Sequence, residues 1–192
     1  YREVEMVAKL FDRDRQVTQL HFGGGTPNFL DLARMQELMG VLARHFSFSV
    51  ERSREFGIEI DPRFADADYV RGLGELGFNR ISVGIQDFDP AVQAAVNRIQ
   101  SVEQTREVLE AARASGFRSA SVDLIYGLPR QTVAGFERTL DEVVALAPER
   151  VAVYGYAHLP EMFKAQRQID AADLPDAATR LALFGRALEH LS

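Results

Sequence analysis

Apolar and polar positions along this 192-residue chain follow two alternating periods. Five short β-rich runs, QLHFGGGTP, FGIEIDP, ISVGIQDF, SVDLIYGLP and VAVYGYAHLP, each end in glycine or polar residues. Between them lie stretches with apolar residues at helical spacing. The pattern predicts a helix over 1–13, strand 17–22, helix 31–45, strand 55–60, helix 65–76 and strand 79–85. It continues with helices 90–97 and 102–115, strand 118–125, helix 132–146, strand 150–156, and helices 160–169 and 175–191. Strands alternating with helices of ten to fifteen residues make βαβ units, so the predicted class is α/β with a parallel sheet. A leading helix that calls for a strand before it completes this as a partial, open TIM-like (β/α)6 barrel with about five parallel strands, read as one domain over 1–192. Asp31 is placed to cap the helix of LARMQELMGVLARHF, and Gly77–Phe78 and Gly116–Phe117 form two similar helix-to-strand corners.

Ligands of parallel α/β folds collect beyond the carboxyl ends of the strands. Gly23 to Thr26, Glu59, Gln86, Asp123 and Ala157 are therefore the candidate site residues. Gly23, Gly24 and Gly25 remove three side chains at a strand end, which lets backbone N–H groups approach a ligand, and Thr26 adds a hydroxyl. No lysine follows, which excludes a nucleotide P-loop. Strand alternation puts Glu59 on the face opposite Ile58 and Ile60, so its carboxylate points inward to a bound group or to an ion-pair partner such as Arg80. Asp61, before Pro62, reads as a turn former. Gln86, Asp87 and Arg98 together could recognise the amino and carboxylate groups of an amino acid, with Arg98 on a helix as the carboxylate clamp. Asp123 is a lone acid near the end of an apolar strand, suited to a hydroxyl or an ammonium group. Tyr154, Tyr156 and His158 alternate and should share a side; His158 is a candidate acid or base, or a loop hydrogen-bonding group. His21, His45 and His190 show no metal-ligand spacing, so no metal site is expected from them.

Composition narrows the classes. With 46% hydrophobic and 26% charged residues the chain is an ordinary globular one, and disorder is excluded. A net charge of −6 disfavours nucleic acid as a partner. No apolar run reaches the roughly 18 residues of a membrane span and no signal segment opens the chain, so a cytoplasmic location without membrane association is expected. The absence of cysteine removes disulfides, zinc–thiolate sites and any iron–sulfur cluster held by this segment alone. The first and last helical periods look interrupted, which suggests an excised segment of a longer chain.

Taken in order, HFGGGTP, IEIDP, VGIQDF, VNRIQ, DLIYGLP, YAHLP and the later FKAQRQI and ADLP closely resemble the oxygen-independent coproporphyrinogen III oxidase (dehydrogenase) family of radical S-adenosylmethionine (SAM) enzymes. The resemblance runs essentially from end to end. It implies a radical SAM barrel, a [4Fe-4S] cluster on three cysteines outside this chain, and two SAM molecules. It further implies oxidative decarboxylation of two propionates of coproporphyrinogen III to vinyl groups by a 5′-deoxyadenosyl radical, giving protoporphyrinogen IX for heme synthesis. Carried over by position, Gly24 and Glu59 would contact the cluster-bound SAM; Gly25, Thr26, Gln86, Arg98, Asp123 and Ala157 would contact the second. The first strand with its cysteine loop and the C-terminal region are expected to lie outside these residues, leaving an unpaired strand edge near Val17 and a segment inactive by itself. An electron donor is implied, and a monomer is expected. The alternative is a heme-binding chaperone on the same barrel, without oxidase turnover.

Overall fold

A computed structural model describes residues 1–12 and 14–192. In chain order the regular elements are α1 (Arg2–Ala8), β1 (Gln16–Val17), β2 (Gln19–Phe22), α2 (Leu32–His45), β3 (Ser47–Phe48), β4 (Glu55–Ile60) and α3 (Ala67–Glu75). There follow β5 (Arg80–Gln86), α4 (Pro90–Ala95), α5 (Val102–Ala114), β6 (Ser119–Tyr126), α6 (Val133–Leu146), β7 (Arg150–Gly155) and α7 (Ala177–His190). Short 3-10 turns follow several strands, at Pro27–Phe29 after β2 and Pro62–Phe64 after β4. Strands β2, β4, β5, β6 and β7 form one parallel sheet in that sequential order, the arrangement expected of consecutive βα units.

Period-2 patterning divides the sheet into an apolar outer face and a polar inner one. Ile58, Ile60, Ile81, Val83, Ile85, Val122 and Leu124 are all at most 3% exposed and pack under the helices. Burial of each such side chain is worth about 1.5–3 kcal/mol, so this face dominates the stability of the sheet. The helices answer with their own apolar stripes: Phe136, Leu140 and Val143 of α6 are completely buried at spacings of four and three. Helix starts are specified locally. Asp31 accepts the Arg34 N–H at 2.8 Å, and Ser101 forms a reciprocal capping box with Gln104.

On the inner face the parallel register lines up Glu59, Ser82, Ser121 and Arg150 in one layer and Gly84, Asp123 and Ala152 in the next. All of these except Gly84 border a trough of about 610 Å³ on the inner side of the sheet. The side of the sheet that would ordinarily be core is thus lined by groups that need polar partners.

Several expectations are corrected. The strand over 17–22 is divided: Gln16–Val17 pairs with Ser47–Phe48 in a separate two-stranded parallel sheet, and only Gln19–Phe22 joins the main sheet. β2 is an edge strand there, whereas Val17, where an unpaired edge was expected, is paired with Phe48. The first helix covers Arg2–Ala8 instead of 1–13, and position 13 lies outside the described residues. No α-helix forms over 160–169. The Gln166 side chain accepts the Leu159 N–H and donates to the Ala157 carbonyl at 3.0 Å, satisfying the local backbone as an irregular loop with one short 3-10 turn at Lys164–Gln168.

Candidate cofactor site

The carboxyl end of β2 runs into Gly23–Gly25 beside the end of β4. Glu59 accepts the Gly24 N–H at 3.2 Å and meets His21 Nε2 at 3.2 Å. Its predicted alternative partner, Arg80, instead pairs with Glu55 at 3.2 Å, one layer deeper. The glycine run has distinct demands along its length. Gly24 holds φ at +105°, and a Cβ on Gly23 would fall 2.6 Å from Glu59 Oε1 and 2.7 Å from His21 Nε2. Glu59 therefore ties the loop after β2 to the inner face, with one edge of its carboxylate engaged by backbone and the other by imidazole.

Beside it opens a narrower cleft of about 110 Å³, bordered by Gly25, Thr26, Ser82, Gln86, Arg98 and Asp123 among others. Five of the six residues predicted to serve a second cofactor thus converge there. Ala157 does not border it. That residue lies beyond β7, where its carbonyl accepts the Gln166 side chain, outside the walls of both cavities. Asp123 stands on β6 and accepts the Ser82 hydroxyl at 2.9 Å from β5. Burial pushes its carboxyl up, and the nearby Glu59 charge adds to that rise against the Ser82 bond. Gln86 closes β5 with φ of +67°, in the left-handed region, at a break in the β5–β6 register. Such a conformation costs a non-glycine residue about 1–3 kcal/mol, a cost that concentrates at ligand-binding positions.

Arg98 is not on a helix. α4 ends at Ala95, Asn97 takes a left-handed turn at φ +52°, and Arg98 then reaches back over the end of β5. Its Nη1 donates to Asp61 Oδ2 at 2.9 Å and its Nη2 to the Gly84 carbonyl at 2.9 Å. Its Nε is buried without a hydrogen-bond partner among the described residues. Each terminal nitrogen still carries a second N–H, so the guanidinium that borders the cleft keeps donors for an acceptor bound there.

Other predicted roles are redistributed. Asp87 does not face the cleft with Gln86. It is 2% exposed and accepts the Asp89 N–H, the Gln131 amide at 2.6 Å and the Thr139 hydroxyl at 2.6 Å, with burial raising its pKa. Strand alternation itself sends Asp87 to the face opposite Gln86, the buried side shared with Ile85, which is why these neighbours separate. Asp61 is more than a turn former, since it carries two arginines, Arg63 at 2.7 Å and Arg98 at 2.9 Å. Tyr154 belongs to the inner trough, whereas Tyr156 and His158 lie past the strand and contact one another at 3.3 Å. Sequence reasoning missed Asp61 in this role and also Gly84 and Ser82. Gly84 carried a usable signal, as a glycine inside an apolar strand marks close approach of another group.

Residues 1–143 match the radical SAM superfamily, and this chain belongs to that family. Its relatives include oxygen-independent coproporphyrinogen III oxidases. The oxygen-independent coproporphyrinogen III oxidase of Pseudomonas aeruginosa is 52% identical over 191 residues, covering 100% of this chain and 42% of the relative. That of Escherichia coli strain K12 is 44% identical over 191 residues, covering 100% of this chain and 41% of the relative. The solved coproporphyrinogen III oxidase of E. coli, described as a radical SAM enzyme, superposes with a TM-score of 0.94 at 44% identity over 99% of this chain and 43% of that one. The archaeal Elp3 of Methanocaldococcus infernus, at 18% identity and a TM-score of 0.66 over 97% of this chain and 48% of that one, shares the fold. The chain thus spans about two fifths of the length of the coproporphyrinogen III oxidases it matches.

Enzymes of this superfamily use SAM and a [4Fe-4S] cluster. The donor set of the cleft fits the amino-acid end of SAM. Arg98 with its remaining terminal N–H groups suits a carboxylate, Asp123 an ammonium group, and Thr26 and Gln86 complete the polar wall. The cluster does not fit these residues. The chain has no cysteine, and the described residues contain no group of three His, Asp or Glu side chains able to hold a metal.

Proposed function

We propose that this chain is the cofactor-binding barrel, read as one domain over 1–192, of a radical SAM coproporphyrinogen III oxidase acting in heme biosynthesis. What carries the reading is 52% identity sustained over 191 residues with the P. aeruginosa oxidase. The cleft geometry supports it, because Gly25, Thr26, Glu59, Gln86, Arg98 and Asp123, six of the eight residues that the motifs singled out, border one polar pocket. The proposed reaction removes one hydrogen atom, carbon dioxide and one electron from each of two propionates of coproporphyrinogen III to leave two vinyl groups, the electron passing to an acceptor outside these residues. When bound at a reduced cluster, SAM supplies the 5′-deoxyadenosyl radical that takes the propionate hydrogen. The cluster would be held by thiolates outside these 192 residues, so this segment is inactive alone.

This chain's own residues bind and orient. Glu59 fixes the Gly24 amide, holding the glycine loop against the inner face where the first SAM would sit. Gly25, Thr26, Gln86, Arg98 and Asp123 receive a second SAM, and Ala157, beyond β7, would contact the same molecule from outside the cleft. The polar trough below provides room beside both sites. No helix among the described residues is long and apolar enough to cross a membrane. A monomeric cytoplasmic enzyme served by a separate electron donor, with no nucleic-acid or membrane partner, completes the proposal.

The test is anaerobic expression of the full-length protein carrying this sequence, iron and sulfide reconstitution, and incubation with coproporphyrinogen III, SAM and a reductant. Formation of the divinyl product is expected. Retained heme with no product from a cluster-loaded protein would replace this reading with the heme-chaperone alternative.

A further inference from the structure

Arg98 is useful only if its guanidinium stays at the cleft wall, and nothing on its own loop holds it there. The restraint comes from Asp61, which follows β4 and borders the same cleft beside Arg98. The Asp61 side chain is 5% exposed and lies between two guanidinium groups, with Arg98 Nη1 at 2.9 Å and Arg63 Nη2 at 2.7 Å on the same Oδ2. Asp61 is itself clamped. Its backbone N–H donates to Asn28 Oδ1 at 3.0 Å, and Asn28 Nδ2 donates back to its carbonyl at 2.8 Å. Asn28 lies in the 3-10 turn that follows Thr26, so the amide pair locks the glycine-rich loop after β2 to the end of β4. Arg98 is anchored a second time on the Gly84 carbonyl, which also accepts from Gln100 Nε2 at 3.3 Å.

Asp61 and Gly84 each engage one terminal nitrogen of Arg98, which fixes the plane of the guanidinium and leaves each of those nitrogens a second N–H. Burial raises the cost of ionising Asp61, yet the hydrogen bonds from Arg63 and the charge of Arg98 outweigh it and hold the carboxyl below its ordinary range. It is therefore a permanent anion near neutral pH. Two cations share it, so the trio keeps one net positive charge for an incoming anion.

Resting on the reading that Arg98 receives the carboxylate of a bound SAM, we propose that Asp61 is a positioning residue that orients Arg98 for that carboxylate and, through Asn28, sets Arg98 in register with Thr26. Asp61 does not itself touch the ligand.

The experiment uses the full-length, cluster-reconstituted protein and equilibrium dialysis, with two probes: SAM and its decarboxylated analogue, which lacks only the carboxylate. Arg98→Met tests the underlying reading, since equal SAM binding by it and by wild type would mean that Arg98 does not receive the carboxylate. Given a loss in Arg98→Met, Asp61→Asn is expected to weaken SAM at the corresponding site about tenfold or more. It should leave the decarboxylated analogue unchanged and add no further loss in the Arg98→Met background. An unchanged SAM affinity in Asp61→Asn, or an equal loss for both probes, would overturn the positioning role, the latter pointing to general collapse of the cleft. Should Asp61→Asn fail to fold, Arg98→Lys serves instead. It keeps the charge but cannot span Asp61 and the Gly84 carbonyl with a planar fork, so a comparable SAM-selective loss is expected. Wild-type affinity in Arg98→Lys would overturn the proposal.

Discussion

Gly84→Ala adds one methyl group to the middle of β5 and should separate binding from folding. The new Cβ would stand 2.9 Å from Gln86 Nε2 and 3.0 Å from Arg98 Nη2, with no backbone among its nearest contacts. Both obstructing atoms are the ends of flexible side chains, so the strand can keep its place while Gln86 and Arg98 move. Alanine is favoured over glycine in a strand interior by about 0.5–1 kcal/mol, which offsets part of the displacement. The folding change should stay within about 1 kcal/mol, or about 2–4 °C in Tm for a domain of this size. The ligand pays more. Arg98 donates to the Gly84 carbonyl at 2.9 Å, and a shift of its guanidinium within the cleft misaligns its charge-assisted bond to the ligand carboxylate, worth about 1.5–3 kcal/mol, equivalent to about 10–150-fold in Kd. Thermal unfolding and equilibrium dialysis with SAM on the full-length protein read the two effects. Wild-type affinity at this cleft, or loss of the fold, would refute the idea that Gly84 is kept bare to admit these side chains.

Glu59→Ala frees the Gly24 N–H and His21 together, and reductive SAM cleavage by the reconstituted full-length protein should fall about tenfold or more; normal cleavage would remove Glu59 from the first cofactor site. Asp123→Asn keeps an acceptor for Ser82 and removes an anion whose folded-state pKa is raised first by burial and then by Glu59. The ionised carboxylate costs stability above that raised value, and the cost fades as pH falls through it. The variant should therefore melt above wild type at pH 8, with an advantage that shrinks in the acid range; a pH-independent difference or a lower Tm at pH 8 would contradict the assignment. Phe136→Ala empties a fully buried position under the sheet and should cost about 3–5 kcal/mol in urea unfolding, whereas a loss below about 1 kcal/mol would mean that α6 is not packed as described.

Much of the barrel was legible because its signals are local and periodic. Ile58 and Ile60 against Glu59, or Ile81, Val83 and Ile85 against Ser82 and Gly84, declare strand and face together. Asp31 and Ser101 mark helix starts within four residues. The irregular elements were harder. The 160–169 segment has helical-looking residues, yet Gln166 satisfies the backbone around Leu159 by side-chain bonds that no periodicity reveals. The break at Thr18 depends on which partner each half of the strand finds, Ser47–Phe48 or Glu55–Ile58.

The sequence by itself determined the order of strands and helices, the inward direction of Glu59 and Asp123, and the absence of any thiolate for a cluster, because each depends on residue type and spacing along the chain. Tertiary structure alone decided which of those groups share a cavity. Arg98 and Asp61 are 37 residues apart, and Gln131 and Asp87 are 44 apart. A carboxylate's partner is set by the closest donor after the chain has closed, so acids just past the ends of two adjacent strands took opposite fates: Asp61 went to the cleft's arginine, and Asp87 to a buried amide and hydroxyl beneath the sheet. Strand alternation already sends Asp87 to the face opposite Gln86; only the folded barrel brings Gln131 and Thr139 there to meet it.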